Sequence, residues 1–532
     1  MKENIVVAIG IVLALLVGCE SRTVTIADTT PDDIESGLNE STRFDYKEKP
    51  FADISPETTD SSQPYSSEKH QKAGKTSGVG KPESNERGCF SNVYSGALHS
   101  AAITVDGALY IWGDGRSGKL GNVGAAPWSE TPSRVVLPDV VKYASLGVTH
   151  SMAITVSGDL YAWGTSMLLG LGDDESASLP TVIRGIENAV AIDTMYDSVA
   201  VITESGDLYA WGDNTGGRLG YTSSSTYLMT DEYVPYTSTP QKVTAIKDVI
   251  AIRLGRYFTA ALTACGDLYT WGENYNGQLG HNNNITFDNS GFPYTVTPTK
   301  VPNLKNIVVI SVWDRSIAAV TIDGDLYTWG KNDYGQLGYV STDYSDNGIP
   351  ITRTPTIVPG LSNVVDVKMS ESHCAALTAN GELFVWGNNS SGQLGQGEVY
   401  PRSTPVKVPG MTNIASIELG PWFSAAITAD GNLYCWGRNF RGQLGHISTE
   451  LDFQGFPRTA TPTKVSGLEG VVSVAFGKSH SVAITVDGYI YTWGDSSNDQ
   501  FVSRKDAGDL ASQDRASQLR IIIPPDGDKP LN

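Results

Sequence analysis

The sequence predicts an all-β propeller, and two observations carry that prediction. Eight times between Ser91 and Ser497 the chain writes nearly the same phrase, most plainly Gly-Lys-Ser-His-Ser-Val-Ala-Ile-Thr-Val-Asp-Gly-Tyr-Ile-Tyr-Thr-Trp-Gly at Gly477 to Gly494. Its Trp-Gly pairs begin at Trp112, Trp163, Trp211, Trp271, Trp329, Trp386, Trp436 and Trp493. A period of roughly 50 to 60 residues marks stacked supersecondary units that cannot bury their apolar faces alone. The second observation is that each copy divides into short β-rich runs separated by Gly, Asn, Asp and Pro, which read as strands and turns.

The fourth copy, Asp248 to Val301, shows the elements in order. Val249-Ile250-Ala251-Ile252 is a first strand that ends at Gly255, and Thr259-Ala260-Ala261-Leu262-Thr263 is a second. Leu268-Tyr269-Thr270-Trp271 is a third, and Thr297-Pro298-Thr299-Lys300-Val301 a fourth. Cys265-Gly266-Asp267 joins the second to the third, as Asp106-Gly107 and Asp487-Gly488 do elsewhere, with glycine supplying the positive φ of a tight hairpin. Small residues on both faces of the Ala-Ala strand fit a strand sandwiched between neighbouring blades, with the Trp filling wider space farther out. Gly-Gln-Leu-Gly at Gly277, Gly335, Gly392 and Gly442 is a turn with structural glycines. It lacks the Lys-Ser/Thr of a phosphate loop. Four strands per repeat around an axis make a propeller of four-stranded blades.

These phrases resemble the regulator of chromosome condensation repeat family: Gly-x-x-His-Ser/Thr-x-Ala-Ile/Leu-Thr, then Gly-x-Leu-Tyr-x-Trp-Gly, then Gly-Gln-Leu-Gly. The resemblance runs from about Ser91 to the region of Ile523 and implies a propeller. Well-known members have seven blades, whereas this chain has eight copies. The eighth carries Asn498-Asp499-Gln500-Phe501 in place of Gly-Gln-Leu-Gly, yet Gln518 to Pro524 can serve as its last strand. Eight blades are expected, with seven and an irregular end as the alternative. The resemblance also implies guanine-nucleotide exchange on a small GTPase and chromatin binding, or inhibition of an extracytoplasmic enzyme, as some secreted members of the fold do.

Composition and the N-terminus argue against a chromatin role. Lys+Arg 38 against Asp+Glu 58 gives a formal net charge of -20, which disfavours nucleic acid and anionic surfaces as partners. The apolar run Ile5 to Val17 reads as a signal-peptide segment, too short to span a membrane comfortably. It ends in Leu16-Val17-Gly18-Cys19, which resembles a bacterial lipobox with Cys19 as the lipid-modified residue. Glu20 after that Cys implies the outer membrane in a double-membraned bacterium. Residues 20–88 are rich in Ser, Thr, Asp, Glu, Lys and Pro, so they should form a disordered tether. The expected organisation is a signal peptide over 1–19, the tether over 20–88, the propeller over 89–524 and a tail over 525–532.

Function has to be read from what differs between copies. After the Gly that ends each first strand, the copies read Ala97-Leu98-His99, Val148-Thr149-His150, Met195-Tyr196-Asp197, Arg256-Tyr257-Phe258, Trp313-Asp314-Arg315, Glu371-Ser372-His373, Pro421-Trp422-Phe423 and Lys478-Ser479-His480. These loops ring one mouth of the propeller. Tyr196, Arg256, Tyr257, Trp313, Asp314, Glu371, Trp422 and Lys478 give that mouth the aromatic and Arg enrichment of a protein-binding hot spot. His99, His150, His373 and His480 read as satisfied structural histidines. Copies three, four, five and seven also carry longer loops before the fourth strand, at Tyr221 to Ser238, His281 to Thr295, Tyr339 to Thr352 and His446 to Ala460. Insertions repeated at one position map to one face.

No catalytic elbow, His-Glu-x-x-His or paired-carboxylate setting stands out above the repeat. Cys374 and Cys435 fill small buried positions, and no Cys/His spacing suggests zinc. The oxygens of Asp288-Asn289-Ser290-Gly291 and of Asp343 to Gly348 form no complete calcium series. The expectation is a lipid-anchored binding protein with no catalysis, no cofactor and no metal. Its partner would be an unidentified protein or a cell-surface polymer.

Overall fold

The computed structural model describes residues 89–122, 127–165, 169–172, 176–195, 197–223, 225–229, 232–288, 291–452, 454–495 and 520–522. The expected signal peptide with Cys19, the expected tether over 20–88, Tyr196, Asn498 to Phe501 and the tail over 525–532 lie outside these residues. Eight antiparallel sheets follow one another along the chain. In the fourth they are Val249–Leu254, Phe258–Thr263, Leu268–Glu273 and Pro293–Lys300.

The blades close into a ring of eight, which decides against seven and an irregular end. In every blade the hairpin glycine between the second and third strands accepts a hydrogen bond from the first strand of the next blade. Val249 N–H donates to Gly206, Ile307 N–H to Gly266 and Val364 N–H to Gly324, each at 3.0 Å. The last such bond, Phe90 N–H to Gly488 O at 3.0 Å, joins blade 8 to blade 1. A Cβ on Gly324 would come within 2.6 Å of the Asn363 backbone, so these glycines let neighbouring blades approach. The final strand, Arg520–Ile522, pairs with Ile490–Gly494 as expected.

The first strands of successive blades touch one another all the way round, so they line the axis. The second strands are buried throughout between blades. The eight Trp side chains are also fully buried, as wedges between a blade and its predecessor. Trp329 Nε1 donates to Gln278 O at 3.0 Å, Trp386 to Gln336 O at 2.8 Å and Trp436 to Gln393 O at 2.9 Å. Each acceptor lies in the Gly-Gln-Leu-Gly turn of the preceding blade. A Cβ on the closing glycine of that turn would strike the same indole, at 2.7 Å for Gly280 and Trp329. That contact explains why the turn and the Trp recur together.

Blades 3, 4, 5 and 7 carry a fifth, outermost strand, namely Ser225–Met229, Thr286–Phe287, Asp343–Tyr344 and Glu450–Leu451. These are the four copies with long loops. Oxygens of these insertions accept turn hydrogen bonds. Asp288 Oδ1 accepts the Phe292 N–H at 2.8 Å, Ser345 Oγ the Ile349 N–H at 3.2 Å and Asp452 Oδ1 the Phe456 N–H at 2.9 Å. Among the described residues no group of His, Cys, Asp or Glu is placed to hold a metal.

The histidines mostly fit their structural reading. Each sits at the start of a second strand and reaches forward to a serine of the next blade. His99 Nε2 lies 2.9 Å from Ser151 Oγ, His373 Nε2 2.9 Å from Ser424 Oγ and His480 Nε2 2.9 Å from Ser100 Oγ. His150 breaks the pattern, contrary to the expectation of four satisfied rings. The residue it would reach is Val199, and neither ring nitrogen has a partner among the described residues.

Candidate functional site: one face of the ring

Backbone bonds stitch both variable regions into a single face. The residue after Trp-Gly donates to the loop between the first and second strands: Glu273 N–H to Tyr257 O at 2.9 Å, Lys331 N–H to Arg315 O at 3.1 Å, Arg438 N–H to Trp422 O at 3.0 Å. The residue after that donates to the proline that opens the fourth strand, as in Asn274 N–H to Pro293 O at 2.7 Å and Asn439 N–H to Pro457 O at 2.7 Å. The loops and the insertions therefore share one face, which we call the mouth. The opposite face carries the hairpins between the second and third strands.

Tyr257 is the centre of the largest cluster there. The guanidinium carbons of Arg218, Arg256 and Arg315 each lie 5.3 Å from its ring centroid, within cation–π range. Carboxylates hold these cations in place. Arg218 pairs with Asp213 in a buried contact, and Arg315 Nη2 lies 3.2 Å from Glu273 Oε1. Arg256 N–H donates to Asp314 O at 3.0 Å, and its side chain lies 4.0 Å from the Asp314 carboxylate. Lys331 approaches Asp314 at 3.8 Å and Asp333 at 2.9 Å. Asp314 has φ of 47°, a left-handed conformation that Asp tolerates better than most residues.

Three carboxyls in this neighbourhood, those of Glu273, Glu371 and Asp197, titrate high. Burial raises that of Glu273, with Arg315 opposing. Burial also raises that of Glu371, aided by the neighbouring Asp314 and opposed by Lys331. Asp197 is raised by burial and by Asp213, with Arg218 opposing. The structure thus brings Arg256, Tyr257, Asp314 and Glu371 together across blades 4, 5 and 6.

The other candidates stand apart. Trp422 belongs to a second cluster on blade 7, where the Arg438 guanidinium lies 5.9 Å from its ring, 5.8 Å from Phe440 and 4.5 Å from Phe456. Asp452 and Gln454 anchor that Arg at 3.8 and 2.9 Å. Trp313 is half-buried and packs against the core cluster that includes Met369 and Trp386, so much of its ring supports the rim. Lys478 is exposed, and its N–H lies 3.4 Å from Ala97 O across the junction of blades 8 and 1.

Sequence comparison between copies missed half of each cluster. Asp213, Glu273, Lys331 and Arg438 all follow Trp-Gly, a variable position in a constant frame. Lys119 and Arg218 replace the usual Gln of the turn in the two copies where that position pairs with Asp114 and Asp213. A ring of axial residues was missed as well. Asp193 Oδ2 accepts the Leu254 N–H of blade 4 at 2.6 Å, and Lys368 of blade 6 pairs with Glu418 of blade 7 at 3.6 Å.

Comparison with known proteins agrees with this geometry. The RCC1-like domain model matches residues 228–520, and the regulator of chromosome condensation (RCC1) repeat model matches 106–154. The chain is 28% identical over 350 residues to the human E3 ubiquitin-protein ligase HERC2, but spans 7% of that protein's length and matches through 55% of its own. It is 26% identical over 334 residues to the secretion-regulating guanine nucleotide exchange factor of Bos taurus, covering 58% of this chain and 69% of that one. The crystal structure of Prp20p from Saccharomyces cerevisiae, described with its binding to Gsp1p and histones, superposes with a TM-score of 0.52 at 25% identity. That match covers 70% of this chain and 87% of Prp20p. Repeat, ring and matched length together place this chain in the RCC1-like domain family.

Proposed function

We propose that this chain is a non-catalytic, lipid-anchored binding protein of the bacterial envelope, outside the cytoplasm, that captures a protein partner on its mouth. The observation that carries the reading is the confinement of both variable regions to one face, where carboxylates pin guanidiniums against aromatic rings. Arg and aromatic residues are the groups enriched at protein hot spots, and a pinned guanidinium loses little side-chain freedom on binding. The first and last described strands both meet the opposite face. Phe90 bonds to the Gly488 hairpin, and Ile522 lies opposite Ile490 beside it. The mouth could equally hold a polymer or an extracytoplasmic enzyme as an inhibited target.

The test is crosslinking on intact cells with mass spectrometry, comparing wild type, Tyr257→Ala/Trp422→Ala and Cys19→Ser. Loss of specific crosslinks in the double variant, and release of the protein from membranes by Cys19→Ser, are the expected outcomes. Unchanged crosslinks would exclude the mouth, and membrane retention of the Cys19 variant would exclude the anchor.

Likeness to the bovine exchange factor favours a second reading, nucleotide exchange on a GTPase. Accelerated release of labelled GDP from a purified small GTPase would establish it in place of the first.

A further inference from the structure

The innermost strands carry charge into the middle of the ring. The fifth residue of the first strand is Asp193, Arg253, Ser311, Lys368 and Glu418 in blades 3 to 7, and blades 8, 1 and 2 have no charged residue there. These five lie opposite Ala200, Ala260, Ala318, Ala375 and Ala425 of the second strands, so their side chains stand at one level of the axis. Asp366 stands two residues before Lys368, on the same side of its strand and one level nearer the hairpin face.

These groups face the axial channel and not the core. Arg253 is exposed, and the side chains of Lys368 and Glu418 are 38% and 36% accessible although their strands are the innermost ones. Residues on the alternate side of the same strands, such as Ile252, Val367 and Ile417, are buried in the core. Two of the charges match each other, with Lys368 Nζ 3.6 Å from Glu418 Oε2. Asp193 is held by backbone, its Oδ2 accepting the Leu254 N–H at 2.6 Å. Arg253 and Asp366 are not matched. Among the described residues Arg253 makes one hydrogen bond, Nη1 to Ile252 O at 2.8 Å, and no ion pair. Asp366 Oδ1 accepts the Val367 N–H at 2.9 Å, and its carboxylate pairs with no cation there.

An unmatched guanidinium and an unmatched carboxylate, on either side of blade 5, suit a ligand that carries both charges. A plain anion would satisfy Arg253 but face Asp193, Asp366 and Glu418, and a plain cation would leave Arg253 unpaired. Guanidinium grips a carboxylate through two parallel N–H bonds, and a carboxylate accepts equally well from an ammonium. Between them, at the level of Asp366, Ala251 and Val309 present short apolar side chains. We propose that the axial channel binds a free α-amino acid with an aliphatic side chain: its carboxylate lies on Arg253 and the Ser311 hydroxyl, its ammonium on Asp366, and its side chain over Ala251 and Val309.

The rest of the channel agrees with this placement. Ser311 Oγ accepts the Met369 N–H at 3.0 Å, which leaves its own O–H to donate. The wall formed by blades 1 and 2 is aromatic, Tyr94 and Tyr143 meeting edge to face at 5.4 Å, and offers no competing charge. Burial raises the carboxyls of Asp193 and Asp366, with Arg253 opposing at Asp193 and Lys368 and then Arg253 opposing at Asp366. The Arg253 guanidinium thus acts both on blade 3 behind it and on blade 6 ahead. Charges set in a partly desolvated channel attract a complementary ligand more strongly than charges in bulk water do.

Titration calorimetry of the full chain with free L-alanine, L-valine, L-leucine and L-isoleucine tests the site. L-leucine should bind. Its analogues 4-methylpentanoate, which lacks the ammonium, and 3-methylbutylamine, which lacks the carboxylate, should each bind at least about tenfold more weakly, because each forfeits a charge-assisted contact. Arg253→Gln and Asp366→Asn should weaken L-leucine by a similar factor. Tyr257→Ala/Trp422→Ala, altered at the mouth, should bind it as the wild type does, which separates this site from the mouth. The proposal is overturned if none of the four amino acids binds at about 1 mM, or if either single-charge analogue binds as tightly as L-leucine. Undiminished binding by both channel variants, or its loss in the mouth variant, overturns it as well. The analogue comparison uses the wild-type chain, so it decides the question even where a channel variant fails to fold.

Discussion

The two faces of the ring treat ion pairs differently. On the hairpin face one pair recurs: a Lys at the end of the fourth strand meets an acid of the hairpin, as Lys242 with Asp207 at 2.7 Å, Lys300 with Asp267 at 2.6 Å and Lys407 with Glu382 at 2.5 Å. On the mouth the cation is usually Arg and the pairing changes from blade to blade. Arg218 meets an acid of its own blade, Arg315 reaches back to Glu273 of the previous blade, and Arg441 reaches forward to Asp495 of the next at 3.6 Å. Repetition marks what every blade needs in order to fold. Variation in Arg, whose planar fork suits carboxylates and aromatic faces, marks a surface shaped for something outside the blade.

The comparison is broken most directly at Arg218. Its side chain is 3% exposed and that of Asp213 10%, and it also donates to Arg256 O and lies over Tyr257. Arg218→Ala leaves a carboxylate buried without its counter-charge, a change that typically costs about 3–5 kcal/mol. Urea unfolding should show this loss, and it should persist in high salt because the pair is shielded from solvent. A loss below about 1 kcal/mol would mean that the mouth pairs are no more structural than ordinary surface pairs.

A smaller effect is expected at Asp114, the acid of the blade 1 mouth. Hydrogen bonds from Arg116 and Lys119 outweigh burial and hold its carboxyl down at about 2. A depressed folded pKa contributes stability that is full above the unfolded value of about 3.9 and is lost as pH falls toward 2. Wild type should thus lose melting temperature more steeply than Asp114→Asn between pH 4 and 2. Parallel curves would remove Asp114 from the set of pinned pairs.

What the sequence could reveal follows from where each signal resides. The ring was legible because Trp and hairpin Gly recur in all eight copies and the turn Gly in seven, each answering a contact between blades. The four fifth strands were legible as long loops. The mouth was only half legible. Arg256, Tyr257 and Asp314 stand in the loop that was compared, whereas Glu273 and Arg218 stand after Trp-Gly and inside the turn, far away in sequence. The axial ring of Asp193, Arg253, Lys368 and Glu418 depends on which strand is innermost, and strand patterns carry no radial order. The unsatisfied His150 is visible only once each histidine is known to reach one copy forward, where Val199 replaces the usual serine.

The smallest effect belongs to the hairpin face. Lys300 and Asp267 are 46% and 24% exposed, so solvent screens their attraction and the long side chain loses entropy in holding one geometry. Lys300→Ala should cost at most about 1 kcal/mol in urea unfolding, and about 1 M salt should abolish even that. The recurrence of this pair then reflects a weak preference sampled independently in several blades, each nearly indifferent to its loss. A cost approaching that of Arg218→Ala would reverse the assignment of roles: the repeated pairs would be holding the ring together. The mouth would then lose its claim to be distinguished by how firmly its charges are held.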